Sequence, residues 1–298
     1  MRPRAAGPRG AAAAPLALAA LLACGSPAAT DPVFERIGAV TDDPGTVRAI
    51  AATLSAYGGL DTWAARRNAE YRFSLAVYGG DTAPRRTTLE VHRLALGPEV
   101  HLEMVDLDPA PLRTVRIDGD RVAVGDGAME EIDDAEFRLA YGLALRRDFR
   151  LPWSLLDERT AVETRGARTP APAGPVPPGP CDVLRLRLAD DWQDLYLSRR
   201  SHLIEQVHSY RAGPNDFRLS VWADHRAFDG IRVATRRTTY ASDAAATVGR
   251  LEAVAEYSDV RFDVDWPGAP EEEPAEVPAP GDEPAPASEA TPDGGRGP

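Results

Sequence analysis

The sequence predicts an α+β protein in which helices cover one face of a large antiparallel sheet. Two observations lead to this fold class. From residue 69 onward, apolar and polar residues alternate with a period of two through many short segments, a pattern typical of strands with one buried face. Helical periodicity is confined to the start and the middle of the chain, where helices can pack on a sheet. Many short strands separated by turn residues favour a barrel or a sandwich.

The N-terminal segment, residues 1–24, has the pattern of an export signal. Several arginines precede an uncharged, Ala- and Leu-rich stretch over 10–23, which is shorter than the ~20 residues that a transmembrane helix needs. The stretch ends in Leu-Leu-Ala-Cys, which resembles a bacterial lipobox and implies that Cys24 is lipidated and anchors the protein in a membrane. Gly25 follows the cysteine, which resembles the pattern of lipoproteins that enteric bacteria sort to the outer membrane. An ordinary cleavage site with an incidental cysteine is the alternative.

Residues 25–42 are expected to form a tether, and the folded domain is expected to span 43–266. The domain begins with a helix, because Asp43 is a favourable N-cap and Pro44 suits the first helical position. Gly58-Gly59 ends the helix.

The strand pattern then predicts a long series of antiparallel strands. The first five form a meander at 69–77, 87–94, 100–104, 115–117 and 122–124. Two helical elements follow at 133–147 and 151–156. Strands resume at 161–165, 183–188, 192–197, 203–210, 217–228, 231–240 and 253–264. We count about eleven strands, because the shortest segments are ambiguous.

Two proline-rich segments are expected to lie outside the regular elements. Residues 169–180 contain six prolines and predict a surface excursion rather than a domain boundary, because strands continue beyond them. Residues 267–298 contain nine prolines and eight acidic residues but one arginine. Such a segment buries too little apolar surface to offset its chain entropy, so we expect a disordered tail that acts as a solvated spacer or contacts a partner.

Composition excludes several chemistries. All 34 basic side chains are arginines, so a P-loop, a pyridoxal Schiff base and a kinase active site are impossible. The net charge of −12 argues against a nucleic-acid partner. The GxSxG, HExxH and CxxC motifs are absent, so we predict no catalytic residues, no metal site and no cofactor. Cys181 precedes an alternating strand and is interpreted as a half-buried structural residue.

Five stretches resemble the LolA/LolB-like superfamily of lipoprotein carriers: AIAATLSAYGGLDTW, FSLAVY, FRLPWSLLD, DLYLSRRSHLIEQVHSY and WADHRAFDGIRVATRRTTY. The resemblance covers roughly residues 44–265. It implies an incomplete antiparallel β-barrel wrapped around helices, in a bacterial envelope lipoprotein. The superfamily's membrane receptor inserts an exposed apolar loop into the membrane, and no comparable loop is evident here, which puts a sorting role in doubt.

The resemblance also implies a hydrophobic ligand face on the concave side of the barrel, where carriers hold acyl chains. Ten residues would supply this face: Tyr71, Phe73, Leu75, Leu89, Val91, Leu102, Met104, Phe217, Leu219 and Val221. The same alternation would equally build a solid core on the helices. The leading hypothesis is therefore a non-enzymatic outer-membrane lipoprotein, facing the periplasm, that binds a lipid, an acyl chain or an envelope protein. A structural or interaction lipoprotein without a small ligand, and a carboxylate-based hydrolase, are the alternatives.

Overall fold

A computed structural model describes residues 32–266, except 81, 108–112, 126–134, 158–159, 174–177, 189–190 and 212–215. The expected signal over 1–24 with Cys24, and the expected tail over 267–298, lie outside the described residues. Within the described part, no helix is both long enough and apolar enough to cross a membrane.

Twelve strands in the described part form one antiparallel sheet, interrupted in sequence by helices. The helices are α1 Pro32–Gly38, α2 Pro44–Ala56, α3 Leu60–Ala64, α4 Ala135–Phe149 and α5 Leu151–Ser154. The strands are β1 Asn68–Val77, β2 Arg86–Ala95, β3 His101–Asp106, β4 Thr114–Asp118, β5 Arg121–Val124, β6 Ala161–Arg168, β7 Cys181–Leu188, β8 Asp191–Ser198, β9 Ile204–Tyr210, β10 Phe217–Phe228, β11 Ile231–Ala241 and β12 Leu251–Phe262.

The sheet is an incomplete barrel, as predicted. Its strand order is β5-β4-β3-β2-β1-β12-β11-β10-β9-β8-β7-β6, so two meanders join where β1 pairs with β12. The ends do not meet, and β5 and β6 are the two edges. Helix α4 contacts β5, and helix α2 contacts β6. The helices therefore fill the side that we call the inner face, and the opposite side is the outer face.

The predicted tether over 25–42 is wrong from residue 32 onward. Residues 32–38 form helix α1, which contacts α2. Ile37 is fully buried within the main hydrophobic core. Burial of Ile37 helps to dock this short helix, so the folded domain begins before residue 43.

Helix α2 begins and packs as its sequence predicts. The Asp43 carboxylate accepts a hydrogen bond of 2.7 Å from the Thr46 backbone N–H, which satisfies a donor at the helix start. Ile50 and Leu54 of this helix are buried.

The C-terminal end of α2 is tied to three strands through Tyr57. The Ile204 backbone N–H of β9 donates to the Tyr57 hydroxyl at 3.2 Å. That hydroxyl lies 3.1 Å from His225 Nε2 of β10 and donates to it when the imidazole is neutral. The Arg232 backbone N–H of β11 donates to the Tyr57 carbonyl at 3.0 Å. Tyr57 thus fixes the helix over one end of the sheet.

Gly58 permits the close contact between this helix end and the β10–β11 turn. A Cβ at Gly58 would lie 2.2 Å from the carbonyl oxygen of Gly230. Its φ of +115° is also one that L side chains rarely adopt. The Gly-Gly helix stop and the Asp-Gly hairpin turn therefore meet in space.

Aromatic rings fill the centre of the inner face. Trp63 stacks on Trp153 with ring centroids 3.7 Å apart. Tyr71 of β1 stacks on Phe149 of α4 at 4.7 Å and lies 5.3 Å from Tyr257 of β12. Strands and helices therefore share one continuous core.

A row of alternating charges crosses the outer face. Its members are Arg116, Glu103, Arg93, Glu70 and Arg261, and each is the register partner of the next across five neighbouring strands. Arg93 donates from Nε to Glu70 at 2.7 Å and from Nη1 to Glu103 at 2.8 Å. Burial alone would raise the pKa of Glu70, but the hydrogen bonds from Arg93 and Arg261 outweigh it and lower that pKa.

Replacing Gly58 by alanine tests the contact at the helix end. We expect Gly58→Ala to lower the free energy of unfolding by more than about 2 kcal/mol, because a Cβ overlaps backbone and the positive φ is strained. Gly59→Ala is the matched control, since Gly59 also has a positive φ but nothing lies within 4 Å of its Cβ position; we expect a loss of about 1 kcal/mol. Chemical denaturation measures both, and equal losses would contradict the contact.

Acid should weaken the Tyr57 connection. Burial, with a smaller effect from Arg232, lowers the pKa of His225 to about 4, against ~6.5 in an unfolded chain. Between these values the unfolded state binds more protons, so the free energy of unfolding falls as the pH falls from 6.5 to 4, by on the order of 3 kcal/mol. Burial also lowers the pKa of His208, which adds to the same trend.

His225→Gln is the control for this pH dependence, because glutamine can accept the Tyr57 hydrogen bond but does not titrate. Urea unfolding of both proteins at pH 7, 5.5 and 4 should show a shallower pH dependence in the variant. An identical dependence in the two proteins would show that His225 does not contribute.

Candidate functional site

The main cavity of the inner face lies at the end of the sheet farthest from Gly58, and we call it the open-end cavity. It has a volume of about 300 Å³, at the lower end of the range for small-molecule sites. It is lined by Val77, Arg147, Asp148, Leu151, Gln193, Val207, Ser209, Arg211, Arg218, Ser220, Trp222, Arg237, Thr239, Glu252 and Ala253. Helices α4 and α5 form one wall, and strands β8 to β12 form most of the other.

Strand pairing brings polar side chains to this end of the inner face. Trp222 and Ser220 of β10 are the register partners of Arg237 and Thr239 of β11. A side-chain period of two then turns Arg218 to the same face. The inner face is therefore apolar at its centre and polar at its open end.

A buried ion pair joins the helix wall to the sheet wall. Asp148 of α4 accepts a hydrogen bond from Arg237 Nη1 of β11, and both side chains are less than one fifth exposed. Burial alone would lower the pKa of Arg237, but the Asp148 carboxylate outweighs it and raises that pKa. The two side chains are therefore direct ion-pair partners.

The remaining charges of the cavity leave an excess of positive charge. The lining holds four arginines and two carboxylates. Arg218 is paired with Glu252 at 3.1 Å and with Asp216, outside the lining, at 3.3 Å. Arg147 lies 4.0 Å from Asp148, whose other contact is Arg237. Among the described residues, no carboxylate lies within 4.0 Å of the Arg211 guanidinium.

Three buried polar atoms that line the cavity have no hydrogen-bond partner among the described residues. They are Nε of Arg147, Nε1 of Trp222 and Oε1 of Gln193. A buried polar group without a partner costs about 1–3 kcal/mol, so such groups are rare and mark places where water or a ligand binds. Each of these atoms belongs to a lining residue but is itself closed to solvent, so a ligand reaches it only if the side chain moves.

The floor of the cavity is apolar. Leu151 and Val207 are buried and belong to the main core, while Val77 is 38% exposed. The side chains of Trp222 and Ala253 complete this surface. An apolar floor beneath a positively charged mouth suits an amphipathic ligand.

The ten residues of the predicted ligand face do not share one face, and this prediction is wrong. Register with Tyr71 and Phe73 of β1 puts five on the inner face: Tyr71, Phe73, Leu75, Leu102 and Met104. The other five lie on the outer face: Leu89, Val91, Phe217, Leu219 and Val221. None of the ten lines the open-end cavity. The inner five pack in or against the main core.

The ligand-face residues of β2 and those of β10 were predicted on the wrong face for different reasons. In β2, the inner positions opposite Phe73 and Tyr71 are Glu90 and His92. His92 is fully buried, with Nε2 2.6 Å from Glu90 and Nδ1 3.3 Å from the Tyr71 hydroxyl. This polar network packs beside a second cleft of about 160 Å³ near Tyr141. A hydrophobicity pattern alone cannot predict that a Glu-x-His pair points inward.

In β10, the apolar alternation points outward because part of the predicted excursion covers the outer face. The Ala171 carbonyl accepts a 2.6 Å hydrogen bond from Gln206, and the Ala173 carbonyl accepts one of 3.2 Å from Tyr240. Leu219, between β9 and β11, is fully buried beneath this cover. Residues 174–177 of the excursion lie outside the described residues.

Cys181 is buried, as its strand position suggests. Its thiol lies 3.6 Å from Glu205, and burial together with this carboxylate raises the pKa of Cys181 to about 12. A thiol with a raised pKa is a poor nucleophile at neutral pH. Within the described ranges, no group of three or more His, Cys, Asp or Glu side chains could hold a metal ion.

Comparison with protein-family models and with curated proteins finds no match for the chain. Among solved structures, the chain is similar to a LolA superfamily protein from Nitrosomonas europaea, at 13% identity and a TM-score of 0.47 over 74% of this chain and 95% of that one. It is also similar to a DUF1329 family protein from Desulfovibrio piger, at 10% identity and a TM-score of 0.44 over 74% and 94%. The lipoprotein LppX of Mycobacterium tuberculosis matches at 11% identity and a TM-score of 0.27, over 73% of this chain and 98% of that one.

These matches are likenesses to proteins of 10–13% sequence identity. With TM-scores below 0.5, they carry no functional argument.

Proposed function

We propose that this protein is a non-enzymatic lipoprotein of the bacterial cell envelope that holds a small amphipathic ligand, such as a single-chain lipid, in the open-end cavity. The observation that carries the proposal is the cavity itself, whose apolar floor and charged mouth face a single volume of about 300 Å³. The lipobox-like sequence around Cys24 supports the envelope location.

The packing of the inner face limits the size of the ligand. The centre of the face is occupied by Trp153, Phe149 and the strand residues around them. An acyl chain therefore has room at the open end only, beside Val207 and Leu151. This geometry favours a short chain, or the end of a longer chain that leaves the cavity towards solvent.

Each carboxylate of the cavity lining is paired with an arginine, and this pairing supports a binding role over hydrolysis. Asp148 is paired with Arg237, and Glu252 is paired with Arg218. A general acid must hold a proton near neutral pH, and a neighbouring guanidinium favours the ionised carboxylate instead. We therefore propose that neither group acts as an acid catalyst.

An interaction lipoprotein without a small ligand is the second candidate. The filled centre of the inner face favours it, because a solid core needs no ligand for stability. In that case the arginines at the open end would contact an acidic envelope protein. The two candidates differ in whether a small amphiphile binds at the cavity.

Filling the cavity tests the main proposal. We expect Ala253→Phe to weaken the binding of ten-carbon amphiphiles, decanoate and decanol, at least tenfold, because the new ring occupies the floor. Ala227→Phe is the matched control: Ala227 is exposed near the end of β10, so this variant should bind like the original protein. Isothermal titration calorimetry measures the affinities, and failure of both amphiphiles to bind the original protein would favour the interaction candidate.

Lipidation is tested separately in the full-length chain. Cys24→Ala should abolish incorporation of a labelled fatty acid and move the protein from the membrane fraction to the soluble fraction. A Cys181→Ala variant is the control and should be labelled normally, because Cys181 is buried in the sheet. Continued acyl labelling of Cys24→Ala would disprove the lipobox.

A further inference from the structure

We infer that the ligand of the open-end cavity carries an anionic head group, a carboxylate or a phosphate, that binds between Arg147 on helix α4 and Arg211 at the end of β9. This inference rests on the proposed function and specifies the chemistry that the cavity selects. It predicts a preference for anionic over neutral amphiphiles with the same chain.

The first support is the balance of charge. The two carboxylates of the lining are occupied by Arg237 and Arg218. The remaining cationic side chains of the lining are Arg147 and Arg211. Arg147 shares the Asp148 carboxylate, 4.0 Å away, with Arg237, so a ligand anion between Arg147 and Arg211 would add counter-charge to both arginines.

The second support is the unused hydrogen-bonding capacity of two lining residues. Nε of Arg147 and Nε1 of Trp222 are buried N–H donors without partners among the described residues. Carboxylate and phosphate oxygens accept several hydrogen bonds, and guanidinium groups match them in geometry. A neutral hydroxyl offers a weaker acceptor, and a cationic head offers none.

The third support is the fixed position of the helix wall. The Asp148–Arg237 pair joins α4 to β11, and Arg147 is the residue next to Asp148. This pair therefore holds Arg147 at the cavity. We assign Asp148 and Arg237 a positioning role and assign anion binding to Arg147 and Arg211.

Four probes with the same ten-carbon chain separate head-group charge from chain binding. They are decanoate, decyl phosphate, decanol and decyltrimethylammonium, each titrated below its micelle concentration into the purified domain. Acetate and inorganic phosphate, which lack the chain, are titrated in parallel. Calorimetry gives the affinities.

We expect the two anionic amphiphiles to bind at least tenfold more tightly than decanol, and decyltrimethylammonium to bind more weakly than decanol. Added salt should reduce the preference, because the attraction at the mouth is electrostatic. Arg147→Gln and Arg211→Gln should each lower decanoate affinity at least fivefold and lower decanol affinity by a smaller factor. Arg226→Gln is the matched control, since Arg226 is an exposed arginine of β10 outside the cavity.

The outcomes separate the two claims. Equal binding of decanoate and decanol would overturn the anionic preference and leave the proposed function intact. Failure of every amphiphile would overturn the proposed function. Equal affinity for inorganic phosphate and decyl phosphate would support the anion site but contradict a role for the chain. The head-group comparison uses the unmodified protein, so it decides the inference even if an arginine variant does not fold.

Discussion

The contact between the helices and the inner face is the constraint on which the rest of the structure depends. A sheet that does not close cannot bury its inner face on itself, so another element must cover it. Here the cover comes from α2, α4 and α5. Trp63 stacks on Trp153 within the helical layer, and Tyr71 stacks on Phe149 to join that layer to the strands. The helices also contact both edge strands, β5 and β6. These contacts cover the two edges although the edges do not pair with each other.

This cover is uneven, and the unevenness creates the candidate site. At one end, the Tyr57 hydrogen bonds and the glycine-to-glycine contact leave no space between helix and sheet. At the other end, α4 meets the sheet through the charged pair of Asp148 and Arg237. Polar groups need partners and cannot pack as densely as rings, so space remains beside them. The cavity therefore lies where the sheet meets α4 through an ion pair, at the end opposite the hydrogen-bonded contact with α2.

The order and type of the strands could be predicted from the sequence, but the face of each strand could not. Alternation located β1 and β10 because each shows a clear period of two. Which alternate set turns inward depends on the register with neighbours that are distant in sequence. In β10, Phe217, Leu219 and Val221 were the more apolar set, yet they turn outward beneath residues 169–173. A proline-rich segment with no periodicity gives no sign that it covers a sheet.

The candidate site was missed for a related reason. Its lining comes from α4, α5 and six strands, and its polar members look like ordinary surface residues in any one of them. Arg147 follows another arginine near the end of a helix, where basic residues are common. The cavity emerges only when the helix is packed on the sheet. Helix α1 escaped prediction because it is short, although its Ile37, within the predicted tether, is fully buried.

The charge row on the outer face has a consequence for how the strands find their partners. A slip of two residues keeps the apolar side of a strand inward, so hydrophobic burial alone does not forbid it. In β3 such a slip would bring His101 or Val105 opposite Arg93 in place of Glu103, and Glu103 would lose both guanidinium partners. The charge row therefore favours one strand register over others that bury the same apolar side chains. Arginine suits this task, because one guanidinium reaches carboxylates on both neighbouring strands at once.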